Sequence, residues 1–182
     1  MLRPSRVTVV VALLAAVGLM TSACGPTKYI VGNGAHKAPP VGTGWQPVPP
    51  TSIDLPLRHP LTEDASVPTG NAPILVNIWS STCAPCKAEM PLLQKINAGG
   101  QLHVIGFSRD IKTGAADQAI NKAGVTYPNW LDTDASIAVA LDGRIPINAV
   151  PTSALIRDGK VVAVHIGQFT GRKDVLGALD VK

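Results

Sequence analysis

Cysteine is scarce, with three in 182 residues, too few for the disulfide lattice that holds small secreted scaffolds together. Charge is sparse as well: Asp, Glu, Lys and Arg make up 15% of the chain. No run is rich in Lys and Arg, and none interleaves basic with aromatic side chains, so nothing marks a nucleic-acid surface. The formal +4 owes two charges to Arg3 and Arg6, which leaves 14 basic against 12 acidic side chains beyond the extreme N-terminus. Internal repeats are absent, which excludes solenoids. Disorder is excluded by the 46% apolar content, and a polytopic membrane protein by a mean hydropathy of only +0.22. The length suits one ordinary core.

The N-terminus reads as an export signal over residues 1–23. Two arginines and no acid precede an apolar run from Val7 to Met20, interrupted only by Thr8 and Gly18. As a helix that run would span about 21 Å, short of the roughly 30 Å hydrocarbon core, so a cleaved signal is favoured over a spanning helix. Thr21, Ser22 and Ala23 lead directly into Cys24. This resembles the lipobox of bacterial lipoproteins, with Thr21 where Leu is common, and implies acylation of Cys24 and attachment to membrane lipid at the outer face of the cell membrane. An unpaired thiol with no role is the alternative.

Residues 24–60 read as a tether. Eight of the sixteen prolines fall between Gly25 and Pro60, a density at which neither a helix nor a central strand persists. Trp45 is taken as an exposed residue of this spacer, and His36 and His59 as surface histidines.

From 61 to 182 the pattern becomes that of one α/β domain. Ile74–Trp79 and Leu102–Phe107 are near-continuous apolar runs, as expected of strands buried on both faces. Between them, 84–97 reads as a helix with an apolar stripe of Ala88, Leu92, Leu93 and Ile96, ended by Gly99 and Gly100. A helix over 117–123, a short apolar stretch at Trp130 and a helix capped by Thr133 or Asp134 follow. Ser153–Ile156 and Val161–Ile166 form a hairpin across Asp158 and Gly159. Thr170 then caps a last helix. The sum is a central mixed sheet flanked by helices.

The chemistry sits in Cys83-Ala84-Pro85-Cys86, between the first buried strand and its helix. Spacing of i, i+3 on a helical turn puts both sulfurs on one face at a separation a disulfide can bridge. At the helix N-terminus the Cys83 thiolate is favoured by unpaired N–H groups and the macrodipole, so Cys83 is the expected attacking thiol and Cys86 the resolving one. Two other readings stay open. As a structural staple the pair closes a four-residue loop worth roughly 2 kcal/mol. As half of a zinc site it lacks a second ligand pair, and His103 and His165 show no ligand spacing.

The segment Ile74-Leu-Val-Asn-Ile-Trp-Ser-Ser-Thr-Cys83-Ala-Pro-Cys86-Lys-Ala-Glu-Met-Pro91 resembles the active-site segment of the TlpA/ResA branch of the thioredoxin superfamily. Ala149-Val-Pro151-Thr resembles that family's cis-proline loop, and Gly106–Asp110 with the helix after Trp130 its central insertion. The resemblance covers about 61–182. It implies a thioredoxin-like fold with a helical insertion before the cis-proline loop, a redox-active Cys83–Cys86 disulfide, and a Pro151 whose neighbouring backbone pairs with the substrate chain. It implies further a reductase of protein disulfides, supplied with electrons by a membrane thiol-disulfide carrier, with apocytochrome c as a candidate client and no resident cofactor or metal. Oxidation of clients is the opposite direction, which residue identity leaves open. Three departures matter, one of them the intervening Ala84-Pro85 pair, where Pro85 withholds an N–H from the active-site turn and so influences the redox potential. Thr82 stands where the family usually has Trp. Asn77 occupies the place of thioredoxin's buried aspartate, so any base assisting Cys86 must come from elsewhere; Glu89, Asp110 and Asp132 are unranked candidates, each read by default as a surface carboxylate. A rival reading is a copper-binding lipoprotein using Cys83, Cys86 and His165, although such proteins space their cysteines C-x-x-x-C. A peroxidase fits less well, because the paired cysteines suit disulfide exchange.

Overall fold

The computed structural model describes residues 44–181. Its elements run β1 (Gln46–Ser52), β2 (Ile74–Trp79), α1 (Ala84–Ala98), β3 (His103–Ser108), α2 (Thr113–Ala123), β4 (Asn129–Leu131), α3 (Ser136–Ala140), β5 (Thr152–Arg157), β6 (Lys160–Ile166) and α4 (Arg172–Leu176), closed by a 3-10 turn over Gly177–Asp180. The export signal, Cys24, His36 and the first part of the tether lie outside the described residues. No helix among the described residues is long and apolar enough to cross a membrane.

All six strands form one mixed sheet in the order β1-β6-β5-β2-β3-β4. β2, β3 and β4 are mutually parallel neighbours, β5 and β6 form an antiparallel hairpin, and β5 joins β2 antiparallel. The apolar runs at β2 and β3 have the cause expected of them, since core lies on both sides. Leu75 and Trp79 enter the cluster that holds Met90, Leu93, Ile96 and Phe169, whereas Val76 and Ile78 enter the cluster that holds Ile137, Leu141 and Trp130. Asn77 is the one polar side chain that β2 turns toward the first cluster. The hairpin turn falls on Asp158 and Gly159, both at positive φ (49° and 71°) as a tight two-residue connection demands.

Three expectations need correction. Residues 46–52, read as tether, form β1, which pairs antiparallel with β6. The proline rule forbids a central strand, but β1 is an edge strand, where a missing N–H can face solvent; the pairing is irregular between Pro47 and Thr51, across Pro49 and Pro50. Trp45 is not an exposed spacer residue. Its indole N–H donates to the Asp174 carbonyl (3.0 Å) and its ring packs against His165 and Phe169. The buried stripe of α1 is Cys86, Glu89, Met90, Leu93 and Ile96; Ala88 is exposed.

Smaller shifts occur at helix ends. α2 starts four residues earlier than the sequence suggests. Asp134 accepts the Ser136 N–H at 3.1 Å, while Asp132 takes the Ile137 N–H and the Ser136 hydroxyl, so α3 is entered through two aspartates, with Thr133 exposed. α4 is only five residues long and follows Gly171; Thr170 donates its N–H and hydroxyl to Asp174.

Candidate active site

β2 ends at Trp79, and the chain turns through Ser80-Ser81-Thr82 into Cys83, the N-cap of α1. Cys83 has extended backbone (φ −85°, ψ 108°), as an N-cap requires, and its Sγ accepts the Cys86 N–H at 3.1 Å. The Cys83 carbonyl accepts the Lys87 N–H (3.2 Å), so the first turn closes on the cysteine itself. The two sulfurs are bonded, with Cα atoms 5.3 Å apart. Burial separates them: Cys83 is half-buried and Cys86 is 0% exposed. An incoming thiolate or disulfide can therefore meet Cys83 and not Cys86.

Pro151 is buried, follows a cis Val150–Pro151 peptide, and immediately precedes β5. Because Ile78 is in register with Thr152, Pro151 lies at the same sheet end as the turn that delivers Cys83. Val150 and Cys83 pack against the same apolar cluster. The Pro151 carbonyl accepts the Gly167 N–H at 2.9 Å.

None of the three candidate carboxylates is a surface group. Glu89 is 1% exposed and one helical turn from Cys86, on the same face of α1. Its Oε1 accepts the Asn77 Nδ2–H (2.9 Å) and its Oε2 the Phe169 backbone N–H (2.8 Å). Burial pushes its carboxyl up to about 7 against the pull of those two bonds. Asn77 also donates to Ser153 Oγ (3.2 Å), and its own Oδ1 is buried without a partner. Asn77 thus occupies the buried position on β2 and is hydrogen-bonded to an acid, Glu89, supplied by α1. Asp132 is committed elsewhere, to Arg109 (2.9 Å) and to the start of α3. Asp110 is bound to the turn before Cys83.

His165 is buried on β6, stacked on Phe169 with ring centroids 4.3 Å apart, and desolvation holds its imidazole below the ordinary range. It belongs to the aromatic cluster around Trp45. Among the described residues no three His, Cys, Asp or Glu side chains gather as a metal site. His59 is exposed, as expected of it. The burial of Glu89 was the feature hardest to read in advance, yet a signal existed: it falls with Cys86, Leu93 and Ile96 on positions three and four apart.

The chain is 29% identical over 118 residues to the thiol:disulfide interchange protein DsbE of Xylella fastidiosa, covering 64% of this chain and 58% of that one. It is 30% identical over 130 residues to a DsbE homolog of Paracoccus denitrificans, 71% of this chain and 63% of that one. It is 25% identical over 101 residues to the thiol-disulfide oxidoreductase ResA of Halalkalibacterium halodurans, 53% of this chain and 55% of that one. The chain thus spans between half and two thirds of these relatives' length. Among solved structures, a DsbF homologue from Corynebacterium diphtheriae superposes with a TM-score of 0.64 at 21% identity, over 86% of this chain and 99% of that one. A thioredoxin-like protein in its oxidised form superposes at 0.52 with 20% identity, over 70% and 97%. These likenesses give the domain a thioredoxin-like fold. With residues 46–179 matching the Redoxin family model, the chain belongs to the Redoxin family, among relatives of the DsbE and ResA type.

Proposed function

We propose that the protein is a thiol-disulfide oxidoreductase that works through Cys83 and Cys86 on protein cysteines outside the cytoplasm. The observation that carries this reading is the unequal burial of the pair, with Cys83 reachable at the tip of α1 and Cys86 enclosed beside a buried acid. In the reduced protein the Cys83 thiolate, favoured by the Cys86 N–H and the helix N-terminus, attacks one sulfur of a client disulfide. A mixed disulfide forms and the client's other sulfur leaves as a thiolate. Cys86 then gives its proton to ionised Glu89 and attacks Cys83 Sγ. The mixed disulfide breaks, the client's second sulfur departs and takes up a proton, and Cys83–Cys86 is left oxidised. Two electrons have passed from protein to client. Pro151, at the same sheet end, lends its neighbouring backbone to the client chain.

In the cell the chain is exported and held at the outer face of the membrane through acylated Cys24. A membrane thiol-disulfide carrier resupplies the electrons, and apocytochrome c is among the clients. The signal-like residues 1–24 and the names DsbE, ResA and CycY borne by relatives support this setting. Cys86→Ser should trap a client as a mixed disulfide that Cys83→Ser does not form; exchange surviving Cys83→Ser overturns the assigned roles. The direction is read from the Cys83/Cys86 potential, which for a reductase lies near the thioredoxin value of about −270 mV rather than the DsbA value of about −120 mV.

A further inference from the structure

The turn between β2 and Cys83 is held by a group that neither sulfur touches. Asp110, in the connection from β3 to α2, is 8% exposed. Its Oδ1 accepts the Ser80 hydroxyl (2.9 Å), the Ser81 hydroxyl (2.9 Å) and the Ser81 N–H (3.2 Å), and its Oδ2 accepts the Ser81 N–H (2.9 Å) and the Ser108 hydroxyl (2.8 Å). The neighbouring cation is spent elsewhere, since Arg109 pairs with Asp132. Three hydroxyls and a backbone N–H therefore serve one carboxylate, and all reach it from the active-site turn or from the end of β3.

Counting protons gives the network a direction. A carboxylate only accepts, and a serine hydroxyl has one hydrogen to give. The Ser80 hydrogen is committed to Asp110, so the 3.0 Å contact between the Ser80 and Thr82 hydroxyls runs from Thr82 to Ser80. Ser80 Oγ also accepts the Thr82 N–H (3.3 Å), and the Ser80 carbonyl accepts the Cys83 N–H (3.1 Å). Every residue from 80 to 83 is tied, directly or through Ser80, to the Asp110 carboxylate. Reduction removes the covalent tie on Cys83, and none of the hydrogen bonds that link residues 80–83 to Asp110 uses a sulfur atom. Thr82 gives the turn no aromatic ring to pack, which makes polar anchoring the means by which it keeps its shape.

We propose that Asp110 is a positioning residue for the nucleophile: through Ser80 and Ser81 it holds Cys83 as the N-cap of α1 in the reduced protein. The proposal rests on the oxidoreductase reading for its meaning but not for its test. Two variants are compared with the wild type: Asp110→Asn, which removes the charge, and the double variant Ser80→Ala, Ser81→Ala, which keeps the charge and removes two of its donors. The readouts are the pH profile of Cys83 alkylation by iodoacetamide in the reduced protein, the rate of exchange with oxidised glutathione, and the unfolding midpoint of the oxidised protein. Both variants should move the alkylation midpoint to higher pH and slow exchange by about tenfold, the scale of a modest misplacement of a reacting group. Profiles that stay in place while only the unfolding midpoint falls assign the network to structure alone and overturn the proposal. Movement to lower pH for Asp110→Asn with no movement for the serine variant overturns it too, in favour of a plain charge effect. Should Asp110→Asn not fold, Ser81→Ala alone carries the comparison. A wild type that fails to exchange with any disulfide defeats the functional reading, and the alkylation profiles still decide whether Asp110 positions Cys83.

Discussion

Glu89→Gln should change how stability depends on pH, and the size of the change follows from where Glu89 sits. Burial raises its carboxyl from 4.5 to about 7 in the folded protein, so the native state holds this proton more tightly than the unfolded chain does. The sign is then fixed: the favourable contribution is complete below about pH 4.5, declines as pH rises, and is gone above about 7. At 1.36 kcal/mol per pH unit the loss across that window comes to about 3 kcal/mol, a large part of a small domain's net stability of roughly 5–15 kcal/mol. Glutamine cannot ionise, so the variant lacks this slope whatever its stability at acid pH. Urea unfolding of the oxidised protein at intervals between pH 4 and 8 measures it. The difference in unfolding free energy, variant minus wild type, should climb by about 3 kcal/mol over the window and then level off. Parallel curves would refute the placement of an ionisable, desolvated carboxyl beneath the cysteine pair. The same substitution should slow resolution by Cys86 and spare the first attack by Cys83, so that mixed disulfide accumulates in quenched-flow samples near neutral pH.

Three further outcomes test the architecture and its setting. Gly106→Ala would bring a Cβ to 1.9 Å from Asn129 Oδ1 and 3.0 Å from Trp79 Nε1, two atoms hydrogen-bonded to each other at 3.0 Å. Asn129 is fully buried and also donates to the Tyr127 carbonyl, so it cannot swing away, and denaturant unfolding should show a loss of about 3 kcal/mol. A chain beginning at Gly44 should unfold cooperatively, whereas one beginning at Leu61 loses β1 and Trp45, exposes the β6 edge and should aggregate or melt at markedly lower temperature; equal melting temperatures by circular dichroism would return 46–60 to the tether. Cys24→Ala should move the full-length protein from the membrane fraction to the soluble extracytoplasmic fraction, as an immunoblot of the two fractions would show.

What could be read from the sequence was local. The Cys83–Cys86 spacing, the strand before it and the helix after it are neighbours along the chain, and a hairpin across Asp158-Gly159 needs only its own two residues to declare itself. What was missed is joined across long separations. The prolines of β1 argue against a strand until its partner is known, and that partner, β6, lies more than a hundred residues later and has its edge covered by β1. Glu89 is made a buried acid by the Phe169 N–H and by Asn77, and Asp110 is made an anchor by serines some thirty residues earlier. In each case the residue type announces only what it could do, and the fold chooses among the possibilities by what it brings within 3 Å. The two acids, both named as candidates but read by default as surface groups, sit in opposite environments: burial raises the Glu89 carboxyl to about 7, while at Asp110 hydrogen bonds from Ser81, Ser108 and Ser80 outweigh the cost of burial and hold the carboxyl below the ordinary range. Under the mechanism proposed for Cys83 and Cys86, the proton goes to the acid whose burial favours the neutral form, and the turn is held by the acid whose hydrogen bonds favour the charged one.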